Sequence, residues 1–283
     1  AVPTFQPPNG FFSGKTDDEL EFVTDVEATL QLLQEASSPG DTEDDEIKQG
    51  LKSTRRRKNT STVQLSSAYL NPTNELISSL AQFDIVEFIT AARSSHGFKP
   101  KKKAGNKGKV WIPTVFDYLV VQLWDRLGQL HQQKTQQNST TPISTKSLFQ
   151  WDRPGWTFHA KGLWIRDDIV CDSNHNTSTN VGDEFSYDPA AVQTNDRLSA
   201  AIVGSSNFGE RSFQRDMESN LILIFPPPAT SATSDQVGED EENVLQRYID
   251  QERKEMNQYS NVVAEPQTVA HAAPPLPTSV RLH

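Results

Sequence analysis

The chain has 283 residues, 35% of them hydrophobic, with a formal net charge of −10 at neutral pH and a single cysteine. The acidic balance argues against a general nucleic-acid binder, which needs a basic face. One cysteine excludes an internal disulfide and fits a reducing or mitochondrial-matrix setting, and no apolar run reaches the ~18 residues that cross a bilayer.

In chain order, residues 1–60 read as a largely flexible connector: one helix over 17–35 within acidic sequence, then the basic run Arg55-Arg56-Arg57-Lys58. A strand over 63–68, a helix over 74–82, a strand over 84–91 and a helix over 115–130 follow. Their alternation predicts an α/β layered fold, a mixed sheet flanked by helices. On the last helix Phe116, Leu119, Val120, Leu123, Leu127 and Leu130 form one stripe, with Trp124 beside it. Such a stripe packs into its own core more often than it faces a membrane. The loop before it carries Lys99, Lys101, Lys102, Lys103, Lys107 and Lys109. Like-charge runs are commonly solvated loops; the alternative is attraction to an anionic membrane surface, at ~1 kcal/mol per basic residue.

Residues 156–165 alternate small or polar with aromatic or aliphatic side chains and read as a strand. The polar run 167–197, with Cys171 and His175, reads as a disordered insertion. Strands over 198–203 and 219–225 complete the folded unit, set at 61–226. Residues 227–283 read as a polar linker, a helix over about 239–258 and a flexible tail.

The chemistry concentrates in two segments. His159 and Lys161 are two apart, so on a strand both leave the same face. A phosphate placed there meets the fixed charge of Lys161 and an imidazole that moves protons near neutral pH. Past the strand ending at Gly204, Ser205, Ser206 and Asn207 offer hydroxyl, amide and backbone N–H donors in a tight turn, a donor set suited to a phosphate. Glu218 opens the next strand, where a carboxylate could hold one ring nitrogen of His159 and favour the protonated ring. This chemistry needs neither a metal nor a cofactor.

These residues resemble the second histidine-lysine motif of the phospholipase D superfamily. His159-Ala160-Lys161-Gly162-Leu163-Trp164, Asn207-Phe208-Gly209, Arg211-Ser212 and Arg215-Asp216-Met217-Glu218 are similar to the eukaryotic phosphatidylglycerophosphate synthase family. So, in the same order, are Ser67-Ala68-Tyr69-Leu70-Asn71-Pro72-Thr73, Ile89 to Ala92, Ser95-His96-Gly97-Phe98 and Ile112-Pro113, and the match spans about residues 62–225. The resemblance implies a phospholipase D-like fold and transfer of a phosphatidyl group from CDP-diacylglycerol to glycerol 3-phosphate, for phosphatidylglycerol and cardiolipin synthesis. His159, Lys161 and Glu218 would be catalytic, with Ser205, Ser206 and Asn207 on the phosphate. It also implies a mitochondrial protein peripheral to the inner membrane, with no cofactor and no nucleic-acid partner.

Two departures stand out. Where the superfamily pattern places an aspartate five positions after the lysine, this chain has Arg166, and the neighbouring Asp167 is given no role. The superfamily builds one site from two histidine-lysine motifs and this chain has one, since His96 and His131 have lysines three positions on and the other histidines have none nearby. Ala1 in place of an initiator Met and the ending at His283 read as a piece of a longer protein. The partner motif would come from an N-terminal half or from a second copy in a homodimer. A phospholipase D-type hydrolase acting on lipid or nucleic acid, and a non-catalytic lipid-binding half-domain, are the alternatives. Tyr69 and Asn71 are candidates for an acceptor pocket, and His96 for the site's neighbourhood.

Overall fold

A computed structural model describes residues 2–5, 24–37, 60–98, 111–137, 144–170, 194–225, 240–264 and 266. Its strands are β1 (Val2–Phe5), β2 (Thr60–Ser67), β3 (Ile85–Ala91), β4 (Thr145–Trp151), β5 (Lys161–Val170), β6 (Thr194–Gly204), β7 (Ser219–Ile224) and β8 (Ser260–Val262). They form one sheet ordered β1-β7-β6-β5-β2-β3-β4-β8. The helices are α1 (Asp25–Ser37), α2 (Asn74–Leu80), α3 (Trp111–Gln137), α4 (Glu210–Gln214) and α5 (Asp240–Asn257). The units β2-α2-β3 and β3-α3-β4 supply the parallel pairs. The remaining pairs are antiparallel, so the sheet is mixed and the α/β expectation holds.

Alternation along β2 sends Val63 and Leu65 to one face and Gln64 and Ser66 to the other. The first face packs under α1, α2 and α3, whose Leu33, Leu76, Leu80, Leu123 and Leu127 cluster with Val63, Leu65, Leu163 and Ile202. The second is covered by α5, whose Ile249 and Met256 pack against the cluster of Trp164, Ala201 and Leu223. The apolar stripe of α3 is therefore core: Val120, Leu123 and Leu127 are buried.

The reading of residues 1–60 as a connector is corrected at α1. Thr24 and Glu27 cap the helix reciprocally, Glu27 N donating to Thr24 Oγ1 at 3.2 Å and Thr24 N to Glu27 Oε2 at 2.9 Å. That capping box starts the helix at Asp25 rather than at residue 17. Leu33 is fully buried, so α1 belongs to the core. The insertion expected over 167–197 is narrower, because β5 and β6 continue to pair through Asp167↔Arg197 out to Val170↔Thr194. Cys171, His175, Arg55 to Lys58 and the Lys101 to Lys109 block lie outside the described residues. The strand expected from 156 begins at Lys161, since Pro154 and Gly155, the latter at φ 81°, turn the preceding segment.

Candidate active site

Because β5 runs antiparallel to both neighbours, β2 and β6 end where β5 begins: Ser67 pairs with Lys161, and Gly162 with Val203. Gly204 in turn pairs with Asn220 of β7. Residues far apart in sequence, Ser67, His159, Lys161, Ser205, Asn207 and Glu218, thereby gather at one end of the sheet.

His159 lies two residues before β5 and is exposed. Lys161 Nζ sits 3.1 Å from its Nε2 and 3.3 Å from its Nδ1, and donates to its carbonyl oxygen at 3.2 Å. An ammonium this close to both ring nitrogens opposes a second positive charge on the imidazole. Partial desolvation first, and the Lys161 charge second, hold the His159 pKa below its ordinary value. Burial lowers that of Lys161, against the pull of Glu218.

The turn after β6 is built from its own polar groups. Ser205 N donates to Ser219 O at 3.0 Å, Ser219 N to Ser205 Oγ at 2.9 Å, and Ser205 Oγ to Glu218 Oε2 at 2.6 Å. Ser67 Oγ donates to Asn207 Oδ1 at 3.4 Å, and Asn207 N to Ser212 Oγ at 3.2 Å. Phe208, buried and at φ 53°, reverses the chain there.

Two expectations are corrected. Glu218 is buried beneath the turn, and its carboxylate takes the Ser205 hydroxyl rather than a ring nitrogen of His159. Antiparallel pairing sets Ser205 opposite Ser219, one residue from Glu218, which favours that partner. Ser206 is fully buried: its N–H donates to Asn220 Oδ1 and its hydroxyl accepts from Phe208 N at 3.1 Å. It shapes the turn and presents nothing outward, whereas Ser205 is exposed and Asn207 half-buried.

A brace that the sequence did not indicate lies below. Asn220 Nδ2 donates to Asp25 Oδ2 at 2.7 Å, tying the start of α1 to the turn. Burial raises the Asp25 pKa, the Asn220 bond lowers it and the nearby Glu218 charge raises it. Tyr69 bridges two histidines, its ring centroid 6.5 Å from His159 and 5.3 Å from His96. His96 is buried, accepts from Phe98 N at 3.2 Å on Nδ1, and is pushed down to about 4 by desolvation. Asn71 contributes through its backbone, accepting from Glu210 N at 2.8 Å. Arg166 pairs with Glu87 at 2.8 Å and Arg211 with Asp216 at 2.9 Å, structural roles both.

A cavity of about 480 Å³ opens beside His159, between residues 151–160 and the end of α5. Among the described residues no cluster suited to a metal occurs, and no helix is long and apolar enough to cross a membrane.

No family model matches the chain. It is similar to mitochondrial CDP-diacylglycerol–glycerol-3-phosphate 3-phosphatidyltransferases, at 25% identity over 206 residues in Gallus gallus and 24% over 206 in Homo sapiens. Each match covers 71% of this chain and 27% of the relative. The Saccharomyces pastorianus enzyme of that activity is 26% identical over 167 residues, covering 56% of this chain and 26% of the relative. The chain thus spans about a quarter of the length of the curated relatives it matches. A crystal structure of phosphatidylserine synthase from Haemophilus influenzae Rd KW20 aligns at TM-score 0.43 and 13% identity, over 75% of this chain and 38% of that one.

Proposed function

We propose that this chain carries one half of a phosphatidyltransferase site, which moves a phosphatidyl group from CDP-diacylglycerol to glycerol 3-phosphate and releases CMP. The observation that carries the reading is the Lys161 ammonium against the His159 ring, at the sheet end where Ser205 is exposed and Asn207 half-buried. The similarity to enzymes of that name over about 70% of the chain supports the substrate assignment. The mitochondrial names among those relatives support a mitochondrial location; peripheral contact with the inner membrane is part of the same proposal.

In the first step a histidine of the partner motif attacks the diacylglycerol-bearing phosphorus. A P–N bond forms, the P–O bond to CMP breaks, and protonated His159 gives its proton to the departing oxygen. In the second, neutral His159 takes the proton of the glycerol 3-phosphate hydroxyl as its oxygen displaces the phosphohistidine nitrogen. Lys161 and Asn207 hold the non-bridging oxygens, joined by Ser205 as its hydroxyl turns from Glu218 to the phosphate. Desolvation first and the Lys161 charge second disfavour the protonated ring at rest; a bound phosphate draws off and screens that ammonium, which raises the ring's proton affinity when the acid is needed. Glu218 acts at one remove, steadying Ser205 and the charge of Lys161.

The test is phosphatidyl transfer from CDP-diacylglycerol to labelled glycerol 3-phosphate, on this chain alone and joined to a partner half bearing the first motif, each with His159→Ala beside it. Activity only in the joined protein, abolished by the substitution, is the expected result. Phosphatidate without phosphatidylglycerophosphate would make the enzyme a hydrolase, and inactivity of every form would favour a binding module.

A further inference from the structure

The cavity beside His159 has a lining that the proposed chemistry has not used. Arg153 lies against two rings, its guanidinium carbon 4.1 Å from the Trp156 centroid and 4.6 Å from that of Tyr259. Cation–π contact with two rings holds the guanidinium in place without using its N–H donors. Among the described residues those side-chain donors meet no acceptor: the one hydrogen bond Arg153 donates is through its backbone N–H, to Ser95 Oγ at 3.3 Å. A guanidinium so held, with its donors unused, is preorganised for the two oxygens of a phosphate or carboxylate.

The rest of the lining narrows the ligand. Trp156 is 55% exposed and offers a broad aromatic surface at the cavity. Trp151 and Phe158, 5.3 Å apart, pack beneath as an apolar floor. Glu252 and Glu255 project from α5, carboxylates that accept from hydroxyl or amino groups. A ligand matching all three features carries a phosphate, a flat ring and several neutral donors. An acyl chain would need an apolar tube, and glycerol 3-phosphate has no ring to stack.

Position decides the rest. His159 lines this cavity, and on the phosphatidyl-transfer reading, on which this step rests, His159 hands its proton to the departing group. We propose that the cavity is the subsite for the nucleoside monophosphate leaving group. Arg153 grips its phosphate, Trp156 stacks its base, and Glu252 and Glu255 take its ribose hydroxyls or base amino group.

The experiment measures binding of CMP, cytidine, glycerol 3-phosphate and inorganic phosphate to the 283-residue chain by calorimetry and tryptophan fluorescence. It is run on wild type, Arg153→Ala, Arg153→Lys and Trp156→Ala, with the melting temperature of each recorded. CMP binding should fall by ~10-fold or more in Arg153→Ala and Trp156→Ala, the scale of one lost charge-assisted or stacking contact. Arg153→Lys, which keeps the charge but loses the guanidinium fork, should fall between wild type and alanine. Glycerol 3-phosphate should be indifferent to Trp156→Ala. Failure of folded wild type to bind CMP at millimolar concentration overturns the subsite, as do equal CMP affinities in all variants and Arg153-dependent binding of glycerol 3-phosphate alone. The transfer assay on the joined protein separates the two claims: transfer with unchanged CMP inhibition in Arg153→Ala sinks the subsite alone, and Arg153-dependent CMP binding without transfer sinks the activity alone.

Discussion

An ammonium within 3.1 Å of an imidazole nitrogen does two things at once: it lowers the ring's proton affinity and waits for an anion to take it away. Lys161→Met removes the charge while keeping most of the stem. In the joined protein kcat should fall by ~10²–10³-fold, the cost of losing one preorganised charge partner of the transition state, while the melting temperature of the chain moves little. The ring reports the same substitution independently. Because the Lys161 charge contributes to holding the His159 pKa down, its removal must move that pKa upward. A nuclear magnetic resonance titration of the His159 ring, wild type against Lys161→Met, reads the sign directly. A downward move would show that the lysine had been ordering the ring rather than opposing its charge.

The turn between β6 and β7 shows how an element holds such residues in place. A Cβ added to Gly204 would lie 2.3 Å from Ser219 O and 2.3 Å from Asn220 Oδ1, too close for a neighbouring backbone to yield cheaply. Gly204→Ala should therefore cost ~1–3 kcal/mol as an overpacked contact. Asn220→Ala should cost a similar ~1–3 kcal/mol, because it leaves the buried Asp25 carboxyl and the Ser206 N–H without their partner. Urea unfolding measures both, and losses under 0.5 kcal/mol would show that the turn relaxes freely. This element also marks the limit of what the sequence discloses. β2, β3, β5, β6 and β7 are legible because their apolar runs bury on the sheet, and the closeness of Lys161 to His159 because the two are only two residues apart. The Asp25 brace is not, since it joins positions 195 apart through one side chain. β1 and β8, of 4 and 3 residues, are too short to display a period of two. Glu218 meets the Ser205 hydroxyl rather than His159, because sequence suggests the usual mate of an imidazole while strand register supplies the nearest one.

Across the whole molecule, the acid limit of stability follows from two histidines that the fold keeps neutral. His96 is shut in by the rings of Tyr69, Phe98 and Phe116, and His131 lies near Lys146 and Lys134; both are pushed to about 4 from an ordinary 6.5, chiefly by burial. Between those values the unfolded chain binds protons that the folded chain refuses, so stability rises with pH across the window and is lost as pH falls from 6.5 toward 4. Each histidine contributes at most about 1.4 kcal/mol per pH unit there. Asp25 and Asp117, whose carboxyls burial raises, pull the other way, since the folded chain takes up their protons first; they offset part of the loss just above 3.8. His96→Phe keeps a flat ring inside the aromatic cluster and removes the titration. The slope of unfolding free energy against pH between 6.5 and 5 should fall by about one proton's worth in this variant, with stability at pH 7.5 changed far less than the slope. The site should register the same event. A charged His96 pushes against the cluster that seats Tyr69, whose ring borders His159, so acid inactivation should begin before global unfolding in wild type and move to lower pH in His96→Phe. Superimposable acid profiles of the two proteins would mean that His96 takes its proton without disturbing either the fold or the site.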